Sequence, residues 1–204
     1  MGAKSSVPNM STKRSVCAAA AVGDAIYVFG GHDGFYSLQS AEKFHVTSNA
    51  WSPLPNMSTK RRGCTAAAVG DAIYVFGGFD GSSNLESAEK FHVTSNAWSP
   101  LPNMSTQRGC CAAAAVGDAI YVFGGYDGSS SLQSAEKFHV TSNAWSPLPN
   151  MSTKRRSCAA AAVGDAIYVF GGYDGSSPLQ EKSAEKFHVT SNAWSPLPNM
   201  STKR

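Results

Sequence analysis

The sequence is poor in charge and has no long apolar run. Asp, Glu, Lys and Arg make up 15% of its 204 residues, and the formal net charge is +3. This basic excess is small for a protein that binds phosphates, which disfavours nucleic acid as a partner. No stretch reaches the roughly 18 apolar residues that a membrane helix needs, and the first residues lack the apolar core of a secretory signal. We therefore predict a cytoplasmic protein without membrane association.

Cysteine is also sparse, with five residues in the chain. Without a secretory signal we expect reduced thiols, and no CxxC redox motif is present. Four of the cysteines recur at a spacing of 47 residues: Cys17, Cys64, Cys111 and Cys158. Four thiolates around one axis could hold zinc, but strands of a packed ring would not approach closely enough. We interpret them as small buried side chains among alanines, and we predict no metal and no cofactor.

Internal repetition is what the sequence has in abundance. The segment SAEKFHVTSNAWSPLPNMST occurs unchanged at 40–59, 87–106, 134–153 and 183–202. The last unit is longer because of an insertion around Glu181-Lys182. Variation is confined to residues 14–18, residues 32–39 and their equivalents. A fixed period of this length predicts a repeat architecture, and recent amplification and consensus-style design both remain open as its origin.

The second unit reads as four short strands. Residues 64–69 are small and end at a Gly-Asp turn signal, which suits a crowded innermost strand. Residues 72–76 are β-branched and aromatic, as in a buried strand. Residues 85–93 alternate between two faces, and residues 97–101 contain a proline that an outer edge strand tolerates. Four antiparallel strands without helical periodicity describe one blade of a β-propeller.

The landmarks of this unit resemble the kelch repeat. A Gly pair (Gly77-Gly78) is followed by Glu89, by Phe91 two residues later and then by Trp98, and the same set recurs in all four units. The resemblance implies an all-β, kelch-type β-propeller with four four-stranded antiparallel blades in this chain. We expect a lead-in over residues 1–13 and blades over 14–60, 61–107, 108–154 and 155–204. The tryptophans and the Ile-Tyr-Val tyrosines are then expected to pack between blades.

Four blades are fewer than the five to seven that kelch propellers usually have. Three arrangements remain open: a closed four-bladed ring, an open arc, or chains that join into a larger ring as a homo-oligomer. An open arc would expose two apolar blade faces, which is an aggregation liability. We therefore favour closure or self-association over a free arc.

The predicted binding surface is the end of the blades that carries the variable loops, because loops on a rigid scaffold commonly carry function. Eleven of the 17 Lys and Arg residues are expected at this end: Lys13, Arg14, Lys60, Arg61, Arg62, Arg108, Lys154, Arg155, Arg156, Lys203 and Arg204. The kelch resemblance implies ligand contacts from the Arg four residues after the Met and from the residue after the Gly pair. These are Arg14, Arg61, Arg108 and Arg155, together with His32, Phe79, Tyr126 and Tyr173. Arginine pairs with carboxylates in bidentate fashion, so this surface predicts acidic segments as ligands.

We predict a non-enzymatic protein-interaction scaffold that binds a protein or an acidic peptide. Catalysis needs an asymmetric cluster, and nearly identical blades repeat every side chain by symmetry. The alternative is a self-assembling structural or designed propeller without a specific ligand. Nucleic acid is the runner-up partner, and a steep salt dependence of binding would favour it.

Overall fold

The computed structural model describes residues 7–176 and 183–198, so the insertion at Glu181-Lys182 and the basic residues Lys203 and Arg204 lie outside it. Within these residues no helix has the length and apolarity to cross a membrane. The described chain forms sixteen strands: β1 Ala18–Val22, β2 Ala25–Phe29, β3 Ala41–His45, β4 Ala50–Leu54, β5 Thr65–Val69, β6 Ala72–Phe76, β7 Ala88–His92, β8 Ala97–Leu101, β9 Ala112–Val116, β10 Ala119–Phe123, β11 Ala135–His139, β12 Ala144–Leu148, β13 Ala159–Val163, β14 Ala166–Phe170, β15 Ala184–His188 and β16 Ala193–Pro196.

Each repeat forms one antiparallel sheet of four strands in chain order, called blades 1 to 4 below. In blade 2 the register pairs Thr65 with Phe76, Ala72 with His92 and Phe91 with Trp98. The Gly-Asp turn between β5 and β6 forms because Gly70 adopts a φ of +60°, a conformation that glycine adopts at little energetic cost. The predicted all-β fold with four four-stranded blades is confirmed.

Blades stack through apolar faces that neither blade could bury alone. Tyr27 and Phe29 of blade 1 pack on Ile73 and Phe91 of blade 2, and the ring of Trp98 meets that of Phe29 edge-on at 5.4 Å. The indole Nε1 of Trp98 also donates a hydrogen bond to the carbonyl oxygen of Pro55 at 2.9 Å. Blade 2 packs on blade 3, and blade 3 on blade 4, in the same way.

The four blades form an open arc. Ile26 of blade 1 is 40% exposed, whereas its counterpart Ile73 is fully buried against the preceding blade. At the other end Val163 of blade 4 is 67% exposed, although Val69 and Val116 pack against a following blade. Among the described residues, no apolar core joins blade 4 to blade 1. Of the three arrangements that the sequence left open, the ring closed within one chain is not formed, because these two faces do not meet.

Candidate binding site

The repeated arginine of each unit is buried inside its blade. The Arg61 side chain is fully buried, and its Nη2 lies 3.0 Å from Oε1 of Glu89. Its Nη1 donates to the carbonyl oxygens of Gly77 at 2.8 Å and Ser87 at 2.9 Å. Glu89 in turn accepts a hydrogen bond from the backbone N–H of Ser58. This arginine therefore ties the connection that precedes a blade to the ends of two of its strands.

The same arrangement recurs in every blade and corrects one part of the sequence prediction. Ion pairs of 2.9–3.0 Å join Arg14 to Glu42, Arg61 to Glu89, Arg108 to Glu136 and Arg155 to Glu185. The side chains of these four arginines are 0–2% exposed. The expectation that they lie open on the loop face is wrong, because each one satisfies its donors within the protein. They carry no part of the binding proposal below.

The glutamate of the first ion pair is held in its charged form. Burial alone would raise the pKa of Glu42, since a buried carboxylate loses its hydration. Hydrogen bonds from Ser11, Arg14 and Thr12 outweigh that effect and lower the pKa below its ordinary value. The segment before β1 is thus attached to blade 1 by charge-assisted hydrogen bonds.

The four predicted residues after the Gly pairs are His32, Phe79, Tyr126 and Tyr173. All four are half-buried at the loop end, where each pairs with the residue that follows a buried arginine. Phe79 and Arg62 exchange two backbone hydrogen bonds, from Arg62 N at 3.0 Å and from Phe79 N at 2.8 Å. Tyr173 and Arg156 do the same at 2.9 and 3.0 Å. These bridges fix the two side chains of each pair next to one another.

A central cavity opens between the blades at this end. Its volume is about 500 Å³, and it is lined by Ser15, Val16, His32, Arg62, Gly63, Phe79, Asn84, Gly109, Cys110, Tyr126, Arg156 and Ser157. Three of the four predicted positions, His32, Phe79 and Tyr126, therefore share one cavity. Tyr173 lies beside it and contacts the guanidinium of Arg156.

Two arginines of this cavity are stacked on aromatic rings. The guanidinium carbon of Arg62 lies 4.7 Å from the ring centre of Phe79. That of Arg156 lies 4.9 Å from Tyr126 and 4.7 Å from Tyr173. Within the described part of the chain, neither guanidinium pairs with a carboxylate. Stacking orients a guanidinium but leaves its N–H edge free to donate.

The loop aspartates do not neutralise these arginines. Asp80 accepts hydrogen bonds from the backbone N–H groups of Ser82 and Ser83 at 2.6 and 2.8 Å. Backbone hydrogen bonds from Ser83 and then Ser82 lower the pKa of Asp80. Asp127 is bound in the same way in the next blade. No Asp or Glu of the described residues lines the cavity, so its charged side chains are basic.

The rim of the cavity is made of backbone in an unusual conformation. Val16, Cys110 and Ser157 have φ values of 53°, 53° and 55°, and Gly63 has 60°. In this conformation Gly63 N donates to Val16 O at 2.8 Å, Cys110 N to Gly63 O at 2.7 Å and Ser157 N to Cys110 O at 2.8 Å. Non-glycine residues at positive φ carry a strain cost and cluster at functional sites. The rim is thus held in one shape by hydrogen bonds that run from blade to blade.

The four repeated cysteines lie immediately before the inner strands, and burial disfavours the thiolate form of three of them. Burial raises the pKa of Cys64 and of Cys111 to about 12, and that of Cys158 to about 11. No three His, Cys, Asp or Glu residues of the described chain cluster as metal ligands. Cys110 differs because it lines the cavity.

Sequence reasoning missed the role of Arg62 and Arg156, which it counted only as part of a basic face. The signal was the variation within an otherwise constant repeat, since this position reads Ser15, Arg62, Gly109 and Arg156. A side chain that recurs unchanged in every unit makes the same internal contact each time. The varied position next to it is the one that faces the cavity.

The fold and the cavity define a class of protein: a β-propeller arc whose blades carry a Gly pair, a buried Arg-Glu pair and an interblade tryptophan. Residues 3–153 match the family description "KLHDC2/KLHL20/DRC7 Kelch-repeats domain", and residues 154–201 match "Kelch motif". The chain belongs to the kelch-repeat family. Kelch propellers commonly act as protein-interaction scaffolds and are generally not enzymes.

A solved structure confirms the architecture. The structure titled "Structure of YjhT" superimposes with a TM-score of 0.84 at 15% sequence identity, over 96% of this chain and 68% of that chain. At this identity the likeness shows the fold alone. No curated protein sequence matches this chain.

Proposed function

We propose that this chain is a non-enzymatic interaction scaffold that binds an acidic peptide segment in its central cavity. The observation that carries this proposal is the pair Arg62 and Arg156, two arginines held on aromatic rings in a cavity that no described carboxylate lines. A carboxylate that enters the cavity would receive charge-assisted hydrogen bonds from groups that are already oriented. The rigid blades hold these groups in place, so little conformational entropy is lost on binding.

The aromatic residues support a peptide rather than a small anion as ligand. Phe79 and Tyr126 provide apolar contact area beside the two arginines, and aromatic residues with arginine are enriched at the energetic centres of protein interfaces. A cavity of about 500 Å³ also has room for several side chains rather than a single ion. His32 and Tyr173 extend the same surface toward blades 1 and 4.

The proposal is tested by selecting ligands from a randomised peptide library against the natural sequence and against an R62M/R156M variant. We expect Asp and Glu to be enriched only with the natural sequence, and we expect single-stranded oligonucleotides to bind more weakly than the selected peptides. A K60M/K154M variant is the matched control, since it removes the same charge from exposed residues outside the cavity. Equal acidic enrichment with R62M/R156M, or tighter binding of oligonucleotides, would contradict the proposal.

A further inference from the structure

The two ends of the arc carry the two halves of an interface that the chain already forms three times. The open face of blade 4 presents Tyr168, Phe170 and Val163, the same residue types with which blade 3 contacts blade 4. The open face of blade 1 presents Ile26, the counterpart of Ile73, with which blade 2 contacts blade 1. Both faces are therefore built to receive a blade of this same sequence.

The exposure of equivalent residues shows that no described blade covers the outer face of blade 1 or of blade 4. Phe29, Phe76 and Phe123 are fully buried in blades 1 to 3, whereas Phe170 of blade 4 is half-exposed. Ile26 of blade 1 is 40% exposed, whereas its three counterparts in blades 2 to 4 are 0% exposed. Each end thus leaves uncovered an apolar surface that is buried wherever two blades meet.

Main-chain hydrogen bonds show the register in which one blade pairs with the next. Gly31, Gly78 and Gly125 each donate a backbone N–H to the arginine carbonyl oxygen of the next blade, at 2.7–2.9 Å. The equivalent N–H of Gly172 donates to no acceptor among the described residues. At the rim, the N–H of Val16 likewise has no described acceptor, whereas its counterparts in blades 2 to 4 bond to the preceding blade. A second chain would satisfy the N–H of Val16 in the register that the internal interfaces use. The counterpart of the arginine acceptor for Gly172 is Arg204, which lies outside the described residues.

We propose that this chain associates head-to-tail with a second copy of itself, blade 4 of one copy packing on blade 1 of the other. The occupant is a second copy because the two faces complement one another residue for residue, and the contact continues an interface already present within the chain. Such a heterologous contact closes into a ring or extends as a filament, depending on the rotation between copies. Two copies would supply eight blades, within the range of known propellers.

The test is the mass in solution of the full chain between about 1 µM and about 1 mM, a range that covers weak and moderate interfaces. We expect the mass to rise with concentration above the 21.4 kDa of one chain. Ile26→Glu and Val163→Glu each place a charge on one open face, at a position that is exposed in the single chain and so should fold normally. Each variant alone should remain monomeric.

A mixture of the two variants distinguishes the proposed interface from general stickiness. Ile26→Glu keeps an intact blade 4 face and Val163→Glu keeps an intact blade 1 face, so an equal mixture should form a 1:1 complex. Phe35→Glu is the control, since Phe35 is 84% exposed in a loop and belongs to neither face; it should assemble like the natural sequence. A monomer throughout the range, assembly by either single-face variant alone, no complex in the mixture, or loss of assembly in Phe35→Glu would each overturn the proposal.

Discussion

Replacing Arg108 with methionine should destabilise the protein far more than the same change at Arg156. The Arg108 side chain is fully buried and donates to Gly124 O at 2.8 Å, Ser134 O at 2.9 Å and Glu136 Oε1 at 2.9 Å. Methionine fills part of the space but donates no hydrogen bond. The substitution would leave Glu136 buried, at 4% exposure, with its charge uncompensated.

The size of the loss follows from these contacts. Breaking a buried ion pair by removing one partner costs about 3–5 kcal/mol, and each abandoned carbonyl oxygen has a further cost of about 1–3 kcal/mol that overlaps with it. We therefore expect R108M to lower the free energy of unfolding by about 3–5 kcal/mol. R156M removes a half-buried arginine without an ion pair and should cost about 1 kcal/mol or less.

Urea denaturation followed by circular dichroism measures both values. A third variant, R108M/E136M, should be more stable than R108M because it also removes the unpaired carboxylate. The reasoning would be refuted by a loss in R108M no larger than that in R156M, or by a double variant less stable than R108M.

Three further predictions concern the blade junctions, the thiols and the loops. Gly77→Ala should cost at least about 2 kcal/mol more than Gly70→Ala, because both have a φ of +60° but only a Cβ at Gly77 meets the carbonyl oxygen of the next blade's arginine; equal unfolding midpoints would contradict this. Iodoacetamide should modify Cys110 much faster than Cys111 in the native protein, since burial raises the pKa of Cys111 to about 12. Fragmentation mass spectrometry of the tryptic peptide locates the modified thiol, and faster modification of Cys111 would contradict this prediction. Folding lowers the pKa of Asp80, so the ionised carboxylate stabilises the folded state fully above the unfolded-state pKa of about 3.9. That stabilisation is lost as the pH falls through the lower pKa of the folded state. Asp80→Asn should therefore make the unfolding temperature less dependent on pH between about pH 5 and pH 2. An unchanged pH dependence would contradict this prediction.

Most of the strand pattern could be predicted because the same strand-forming segments recur in every repeat. Residues 72–76 and 97–101 form strands as expected. The third strand was expected to begin at Leu85 but begins at Ala88. Leu85 instead donates its N–H to Gly78 O at 2.9 Å and accepts from Arg108 N at 3.0 Å. These hydrogen bonds cannot be predicted from the alternation of side chains along residues 85–93, from which the strand was predicted.

The candidate site could be predicted only in part. The aromatic positions follow from the Gly pair, and the structure places three of them in one cavity. Arg61 and Arg62 are neighbours of the same type, and consecutive side chains of an extended segment point to opposite sides. Glu89, which is distant in sequence, forms an ion pair with Arg61. This ion pair decides that Arg62, and not Arg61, lines the cavity. The shape of the arc likewise depends on contacts between blades, which no single repeat encodes.

The most direct test of the proposed function is the affinity of one selected acidic peptide for four forms of the chain, measured by isothermal titration calorimetry. R62M and R156M should each weaken binding at least about tenfold, since one hydrogen bond to a charged group is worth about 1.5–3 kcal/mol. K60M/K154M should change the affinity little at physiological salt, although its net charge falls by two. An equal loss in K60M/K154M would show that binding follows net charge alone, and unchanged affinity in R62M and R156M would contradict the assignment of the cavity.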